Sequence, residues 1–255
     1  MLEYKLYQGD CFTILDSIED NTIDLVLTDP PYGIDWKEQI KFNNKKAYYS
    51  KGFDELKEWD LVDIKELYNK LFPILTRVTK DTGSIILFTR NENVTYAIES
   101  AAASGFYHKA CIYWVKTNPV PQVRKRNYLS SVETIVWSVK TKDSFTFNFS
   151  TQKEMLNYIQ MPLCQGKERT EHPAQKPLAL IKKLMAIHSN KEDTILDNFL
   201  GSGTTMKAAI ETGRNCIGIE ANKKYILACK ERCGFNNTRL FNNAKYVFSD
   251  TYAKI

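Results

Sequence analysis

Short apolar runs alternate along this chain with stretches of helical periodicity, and this alternation limits the possible folds more than any other feature. Ile23–Leu27 has the composition of a buried strand, and Leu61–Val78 repeats apolar residues at helical spacing. The same alternation predicts further strands at 84–88, 110–115, 134–139, 194–196 and 215–219, and further helices at about 89–104, 177–188, 203–211 and 222–233. Such alternation is typical of an α/β fold, a doubly wound, mostly parallel sheet with helices on both faces.

The length and composition of the chain support one domain of this kind. Its 255 residues, 43% hydrophobic and 25% charged, can bury a large core, and we expect a single domain over 1–255. No apolar run approaches the roughly 18 residues of a membrane helix, and the N-terminus shows no secretory signal, so we expect a cytoplasmic protein without membrane contact. Six scattered cysteines and three histidines predict reduced thiols and no metal site.

Positive charge is concentrated in two segments of the chain. Residues 37–51 hold five lysines and one glutamate, and residues 116–126 hold four basic residues and no acid. Both segments have the composition of loops and have aromatic residues nearby. Basic loops with aromatic neighbours suit a polyanion with stackable bases, although two ordinary solvated loops would give the same pattern. The candidate contacts to such a polymer are Lys41, Lys45, Lys46, Arg124, Lys125 and Arg126.

The first strand-end motif is Thr28-Asp29-Pro30-Pro31-Tyr32-Gly33, directly after the strand at 23–27. Two prolines fix φ and remove two amide donors, so the backbone is stiff and its carbonyls stay available as acceptors. A carboxylate, carbonyl acceptors and an aromatic ring in one rigid turn suit a flat heterocycle with an exocyclic amine. We expect Asp29 and the Pro30 carbonyl to accept the two N–H bonds and Tyr32 to stack on the ring. A proline turn without chemistry is the alternative.

The second strand-end motif runs from Asp197 to Thr205 and opens a helix. Its glycines allow a ligand close to the backbone, and the helix start offers unpaired N–H groups. Glu220 follows the next strand, where a carboxylate can bind a ribose diol. The segment lacks the third glycine of a dinucleotide fingerprint and the lysine of a Walker loop. An adenosine-containing ligand without a pyrophosphate fits best, and S-adenosylmethionine is such a ligand, with Asp197 facing its cationic methionine end.

Together these motifs resemble the β-class amino-methyltransferases of DNA. Asp29-Pro30-Pro31-Tyr32 is similar to the family's catalytic tetrapeptide, and Asp197–Thr205 to its cofactor loop, with Asn198 in place of the usual proline. The segment His172–Pro177 resembles the one that leads into a helix and closes over the methionine moiety, and Gly9-Asp10 resembles an acidic turn near the adenine. The catalytic motif precedes the cofactor motif, which is the permuted order of the β class.

The resemblance implies a Rossmann-like methyltransferase fold and direct transfer of a methyl group from S-adenosylmethionine to N6 of an adenine flipped out of DNA. It makes Asp29, Pro30 and Tyr32 the catalytic residues. The residues that it places at the cofactor are Asp10, Asp29, Lys176, Asp197, Phe199, Gly201, Ser202, Gly203, Thr204 and Glu220. For two of these a second interpretation stays open, because Phe199 could equally be a core residue and Lys176 could simply begin a helix.

Other functions remain open at this point. N4 of cytosine offers a similar amine, although Asp29 favours adenine because many cytosine-N4 enzymes carry serine there. A non-catalytic DNA-binding or specificity subunit would be expected to have lost Asp29 or Gly201, and both are present. We expect 117–171 to be a target-recognition insertion and 33–60 a mobile DNA-contacting loop. DNA is the expected partner, and the resemblance also suggests a homodimer and a cognate restriction endonuclease.

Overall fold

The computed structural model of the chain describes residues 1–33, 62–122, 125–236 and 244–251. Nine strands follow in chain order: β1 (Leu2–Gln8), β2 (Ile23–Thr28), β3 (Thr79–Thr89), β4 (Tyr107–Lys116), β5 (Val132–Val139), β6 (Tyr158–Met161), β7 (Thr194–Asp197), β8 (Asn215–Glu220) and β9 (Ala244–Asp250). Six α-helices accompany them: α1 (Cys11–Leu15), α2 (Ile64–Val78), α3 (Val94–Ala103), α4 (Leu178–His188), α5 (Thr204–Thr212) and α6 (Lys223–Cys233).

All nine strands form one sheet in the order β6-β4-β5-β3-β2-β7-β8-β1-β9. Among these described strands β5 alone is antiparallel to its neighbours, β3 and β4, and the other pairings are parallel. The predicted α/β class and the mostly parallel sheet are therefore confirmed. Each strand and helix predicted from the alternation is present, whereas β1, β6, β9 and α1 come in addition.

Helices cover both faces of the sheet, as the sequence predicts. Side chains of α4, α5 and α6 share one buried cluster with Leu25 and Leu27 of β2. Side chains of α1, α2 and α3 share a second cluster with Ile23 and Val26 of the same strand. Because successive side chains of a strand point to opposite faces, a strand covered on both sides is mostly apolar, which explains why Asp24 alone interrupts the apolar residues at 23–27.

The centre of the sheet contains the switch point at which the strand order changes direction. Here β2 pairs with β7, with Leu25 opposite Ile195. From β2 the chain continues to β3 on one side, and from β7 it continues to β8 on the other. A crevice opens beyond the carboxyl ends of strands at such a point, and this is where open α/β sheets bind ligands. Both strand-end motifs begin here.

Part of the expected target-recognition segment, 117–171, belongs to the central sheet. It contributes β5, between β3 and β4, and β6, the edge strand beside β4. The rest of the segment connects these strands. The expected loop at 33–60 lies, apart from residue 33, outside the described residues. Within the described ranges, no helix is long and apolar enough to cross a membrane.

Candidate active site

A cavity of about 370 Å³ lies at the switch point, beyond the ends of β2 and β7. Most of its wall comes from four segments, 27–32, 172–176, 197–205 and 220–225, and Phe88 and Ile181 complete it. The hydroxyl of Thr28 donates a hydrogen bond to Asp197 Oδ1 at 3.1 Å, which joins the end of β2 to the end of β7 inside the protein. The structure therefore brings the two strand-end motifs into one site.

The segment 197–205, here called the glycine turn, is fixed by a hydrogen bond to Glu220. The two carboxylate oxygens of Glu220 accept from the N–H groups of Gly201 and Asn222, each at 2.7 Å. Burial raises the pKa of Glu220, and these N–H donors partly offset the effect. Gly201 has φ of 54°, and a Cβ atom there would lie 2.9 Å from Nε2 of His172. A side chain at position 201 would thus fill the narrow space between the glycine turn and the segment around His172.

Asp197 is the buried carboxylate of the glycine turn. It is 4% exposed. Burial raises its pKa to about 7, against the opposing effect of hydrogen bonds from Thr205, the Phe199 N–H and Thr28. Burial makes a carboxylate costly to ionise, and a cation placed beside it stabilises the ionised form. This is the property expected of a residue that faces the cationic end of a sulfonium cofactor.

The turn after β2 presents Asp29 and Tyr32 to the same cavity. The Tyr32 hydroxyl lies 2.6 Å from Asp29 Oδ1, and the Asn93 amide donates to the Tyr32 carbonyl at 2.9 Å, which fixes the turn. Lys176 forms an ion pair with the other oxygen of Asp29. Burial raises the pKa of Asp29, since it outweighs the opposing effect of Lys176. Asp29 is consequently more basic than an exposed aspartate.

The Lys176 ammonium contacts the turn after β2. Besides Asp29, it contacts the Tyr32 hydroxyl at 3.2 Å and Glu133 Oε1 at 2.8 Å. The binding of a cofactor carboxylate by Lys176 stays a prediction, and its partners in this structure are these acidic and phenolic groups. Lys176 is only 7% exposed, and the two carboxylates raise its pKa although burial alone would lower it.

Glu133 also contacts Tyr32 and Lys176, although no sequence motif identified it. It projects from β5, and Oε1 lies 2.8 Å from the Tyr32 hydroxyl while Oε2 pairs with Lys116 at 3.1 Å. Burial would raise the pKa of Glu133, but Lys176 and Lys116 lower it to about 2. The one available signal was an acid in a predominantly apolar strand, because a buried carboxylate requires a partner.

The other predicted cofactor residues occupy different positions. Phe199, Ser202 and Thr204 line the cavity. Gly203 adopts a left-handed conformation at the start of α5, with φ of 84°. Asp10 caps α1 by accepting from the Thr13 N–H at 3.0 Å, and it is exposed and outside the cavity lining. A cofactor contact for Asp10 therefore stays a prediction from the resemblance.

The predicted basic contacts divide into two groups. Lys125 and Arg126 are exposed in the connection between β4 and β5. Lys116, counted with them in the basic segment, is paired with Glu133, so it adds no free charge to that surface. The remaining predicted contacts, Lys41, Lys45, Lys46 and Arg124, lie outside the described residues.

Comparisons with known proteins agree with this geometry. A family model described as DNA methylase, covering N6 and N4 methyltransferases, matches residues 23–231. The chain is similar to the type II methyltransferase M.HinfI of Haemophilus influenzae, with 32% identity over 89% of this chain and 67% of the relative. It is 30% identical to M2.MboI of Moraxella bovis over 90% of this chain and 87% of the relative. A crystal structure of the M1.HpyAVI–SAM complex aligns with a TM-score of 0.68 and 30% identity, covering 90% of this chain and 98% of that one.

Proposed function

This chain belongs to the N6/N4 DNA methylase family, and from that premise we propose that it transfers a methyl group from S-adenosylmethionine to N6 of adenine in DNA. The observation that carries the proposal is the shared cavity, in which Asp29 and Tyr32 face the glycine turn. A donor bound at one turn and an amine bound at the other would lie in one crevice, as direct transfer requires.

The residues present fit S-adenosylmethionine. Gly201 leaves the space that a side chain would fill, Glu220 is placed for a ribose diol, and Asp197 is a buried carboxylate suited to a neighbouring cation. When bound, the sulfonium cofactor supplies an electrophilic methyl group, whose bond to sulfur breaks as the bond to the amine nitrogen forms. The relative M1.HpyAVI, which is 30% identical, was crystallised with this cofactor.

The turn after β2 would bind the amine of the target base. The lone pair of the amine nitrogen is delocalised into the ring, so this nitrogen is a poor nucleophile. Hydrogen bonds to the Asp29 carboxylate and the Pro30 carbonyl would draw it toward tetrahedral geometry. The same bonds stabilise the positive charge that develops on the nitrogen during transfer. Because the pKa of Asp29 is raised by burial, its carboxylate is the proposed acceptor of the proton that the methylated nitrogen loses.

The target base must leave the DNA stack to reach this cavity, at a cost of a few kcal/mol. The ring of Tyr32 in the cavity wall would recover part of that cost by stacking. The exposed Lys125 and Arg126 are the proposed contacts to the DNA backbone within the described residues, and the segment 117–171 is the proposed reader of sequence. A homodimer and a restriction endonuclease partner stay predictions.

Mass spectrometry of nucleosides tests the proposal. DNA incubated with the protein and S-adenosylmethionine carrying a deuterated methyl group is digested to nucleosides, and labelled N6-methyladenine is expected. Labelled N4-methylcytosine would instead establish the alternative that the family also includes. No labelled base, from a protein shown by calorimetry to bind the cofactor, would favour the non-catalytic alternative.

A further inference from the structure

Two partly buried carboxylates, Asp29 and Glu133, share the same donors. The Tyr32 hydroxyl lies 2.6 Å from Asp29 Oδ1 and 2.8 Å from Glu133 Oε1, and it has one proton to give. The ammonium of Lys176 contacts a carboxylate oxygen of each acid. Glu133 also pairs with Lys116, so two ammonium groups, two carboxylates and one phenol form one connected cluster. These five groups balance in charge when both acids are ionised.

This cluster creates a competition at Asp29. The proposed mechanism uses the Asp29 carboxylate to accept a hydrogen bond from the target amine, but Lys176 already contacts one of its oxygens. A buried ammonium that loses a carboxylate partner without gaining another is strongly destabilised. Glu133 Oε1, at 2.8 Å from the same nitrogen, is the acceptor that can keep Lys176 paired.

We propose that Glu133 is a positioning residue for methyl transfer, which holds the Lys176 ammonium and the Tyr32 hydroxyl so that Asp29 can be released to the target amine. This inference rests on the proposed function and gives a role to a residue outside the catalytic and cofactor motifs. Lys116 supports the arrangement from the far side, because its ion pair holds Oε2 of Glu133 at 3.1 Å and thereby aims Oε1 at the cluster.

The ionisation of the two acids agrees with this division of roles. Burial works against ionisation of both, but Lys176 and Lys116 lower the pKa of Glu133 to about 2, so it stays charged. The pKa of Asp29 is raised by burial, and the charge of Glu133 adds to the rise while Lys176 and Tyr32 oppose it. Asp197 at the end of β7 also interacts with Asp29, whose charge raises the pKa of Asp197. The charge of Asp29 likewise raises the pKa of the buried Tyr68. Removing the charge of Glu133 therefore lowers the pKa of Asp29.

The test is a double-mutant cycle with Glu133→Gln and Lys176→Met, using single-turnover methylation of DNA. We expect Glu133→Gln to slow transfer about tenfold or more in the wild-type background and much less in the Lys176→Met background, because the residues act through each other. The acid limb of the rate against pH is expected to move to lower pH in Glu133→Gln. The calorimetric affinity of Glu133→Gln for S-adenosylmethionine is expected to stay unchanged.

Two further variants serve as controls for this cycle. Glu19→Gln removes the same charge from an exposed residue just before β2, at the opposite end of the sheet, and should leave rate and pH limb unchanged. Glu133→Asp keeps the charge and shortens the side chain, so its pH limb should stay at the wild-type position even if the rate falls. Thermal unfolding of each variant identifies any that fail to fold, and Glu133→Asp then replaces Glu133→Gln in the cycle.

The possible results separate this inference from the proposed function. Losses that multiply across the cycle, or a Glu133→Gln enzyme with the wild-type rate and pH limb, would overturn the role of Glu133 while leaving the methyltransferase assignment intact. A wild-type protein that binds the cofactor but methylates no DNA would refute both.

Discussion

At the scale of single residues, the backbone conformation at Gly203 and its contact with Cys229 both require a glycine at this position. Its φ is 84°, and a Cβ atom would lie 2.5 Å from Sγ of Cys229 on α6. Gly213 also has positive φ, 71°, but no atom lies within 4 Å of its Cβ position. We predict that Gly213→Ala costs about 1 kcal/mol from backbone strain, and that Gly203→Ala costs about 1–3 kcal/mol more from overpacking. Urea unfolding measures both; equal losses would show that the contact with Cys229 carries no cost.

The raised pKa of Asp197 predicts a pH dependence of stability. Burial raises it to about 7 from the ordinary value of 3.8, so between these values the folded protein holds a proton that the unfolded chain releases. Its contribution to stability is therefore present at low pH and is lost as pH rises through this window. Asp197→Asn removes that dependence. We expect the free energy of unfolding of the wild type, relative to the variant, to fall as pH rises through this window; a constant difference would contradict the assignment.

Single residues also show how far a sequence can be interpreted. Asp29 follows β2 directly, and Asp197 and Glu220 are the last residues of β7 and β8. All three therefore lie at carboxyl ends of strands, where such sheets bind ligands. Glu133 and Lys176 are different, because their contact depends on β5 entering the sheet between β3 and β4. No local pattern encodes a contact made across the sheet.

At the scale of secondary-structure elements, the loop before α4, which forms part of the cavity wall, is held together by hydrogen bonds of Gln175. Its side chain accepts from the Thr170 N–H at 2.7 Å and donates to the Glu168 carbonyl at 2.8 Å, and it is 4% exposed. We predict that Gln175→Ala costs about 1–3 kcal/mol, because partly buried backbone groups lose their partners, and that it weakens cofactor binding by loosening the cavity wall.

The same substitution at an exposed glutamine, Gln152→Ala, provides the control for Gln175→Ala. Its free energy of unfolding should change by no more than about 0.5 kcal/mol, and its affinity for S-adenosylmethionine should match the wild type. Denaturant unfolding and calorimetry give the two quantities. If Gln175→Ala behaves like this control, the loop is held by other contacts.

Elements buried on both faces were predictable, and marginal ones were not. β2 and β3 each contain a short apolar run, at 25–27 and 85–88, whereas β1 alternates apolar and polar residues, with Tyr4 and Leu6 buried. That alternation was a usable signal for β1, whereas β6 has four residues, too few for a period. The direction of β5 could not be inferred, since periodicity is the same in a parallel and an antiparallel strand.

At the scale of the whole molecule, the exposed positive charge between β4 and β5 predicts salt-dependent DNA binding. Lys125→Ala and Arg126→Ala should each reduce the slope of log affinity against log salt by about 0.9, the effect of one lost phosphate contact. Lys191→Ala is the control, because Lys191 is exposed just before β7, at the end of the sheet away from the cavity. Fluorescence anisotropy at several salt concentrations measures the slopes; unchanged slopes would remove this loop from the interface.

The overall architecture was predictable because alternating strands and helices permit few arrangements, and ligands bind at the strand ends in all of them. The extent of the segment 117–171 was harder to judge, since its irregular parts are connected through two strands of the main sheet. Its contribution to recognition of DNA depends on side chains that no sheet rule positions.

The central claim is that the turn after β2 binds the amine while the glycine turn binds the cofactor, within one cavity. The most direct measurement compares Asp29→Ala with the wild type in two assays, calorimetric binding of S-adenosylmethionine and single-turnover transfer of its labelled methyl group to DNA. We predict that Asp29→Ala still binds the cofactor and that its transfer rate is reduced about 100-fold or more. Wild-type transfer by Asp29→Ala, or a loss of transfer that is explained by lost cofactor binding, would contradict the account.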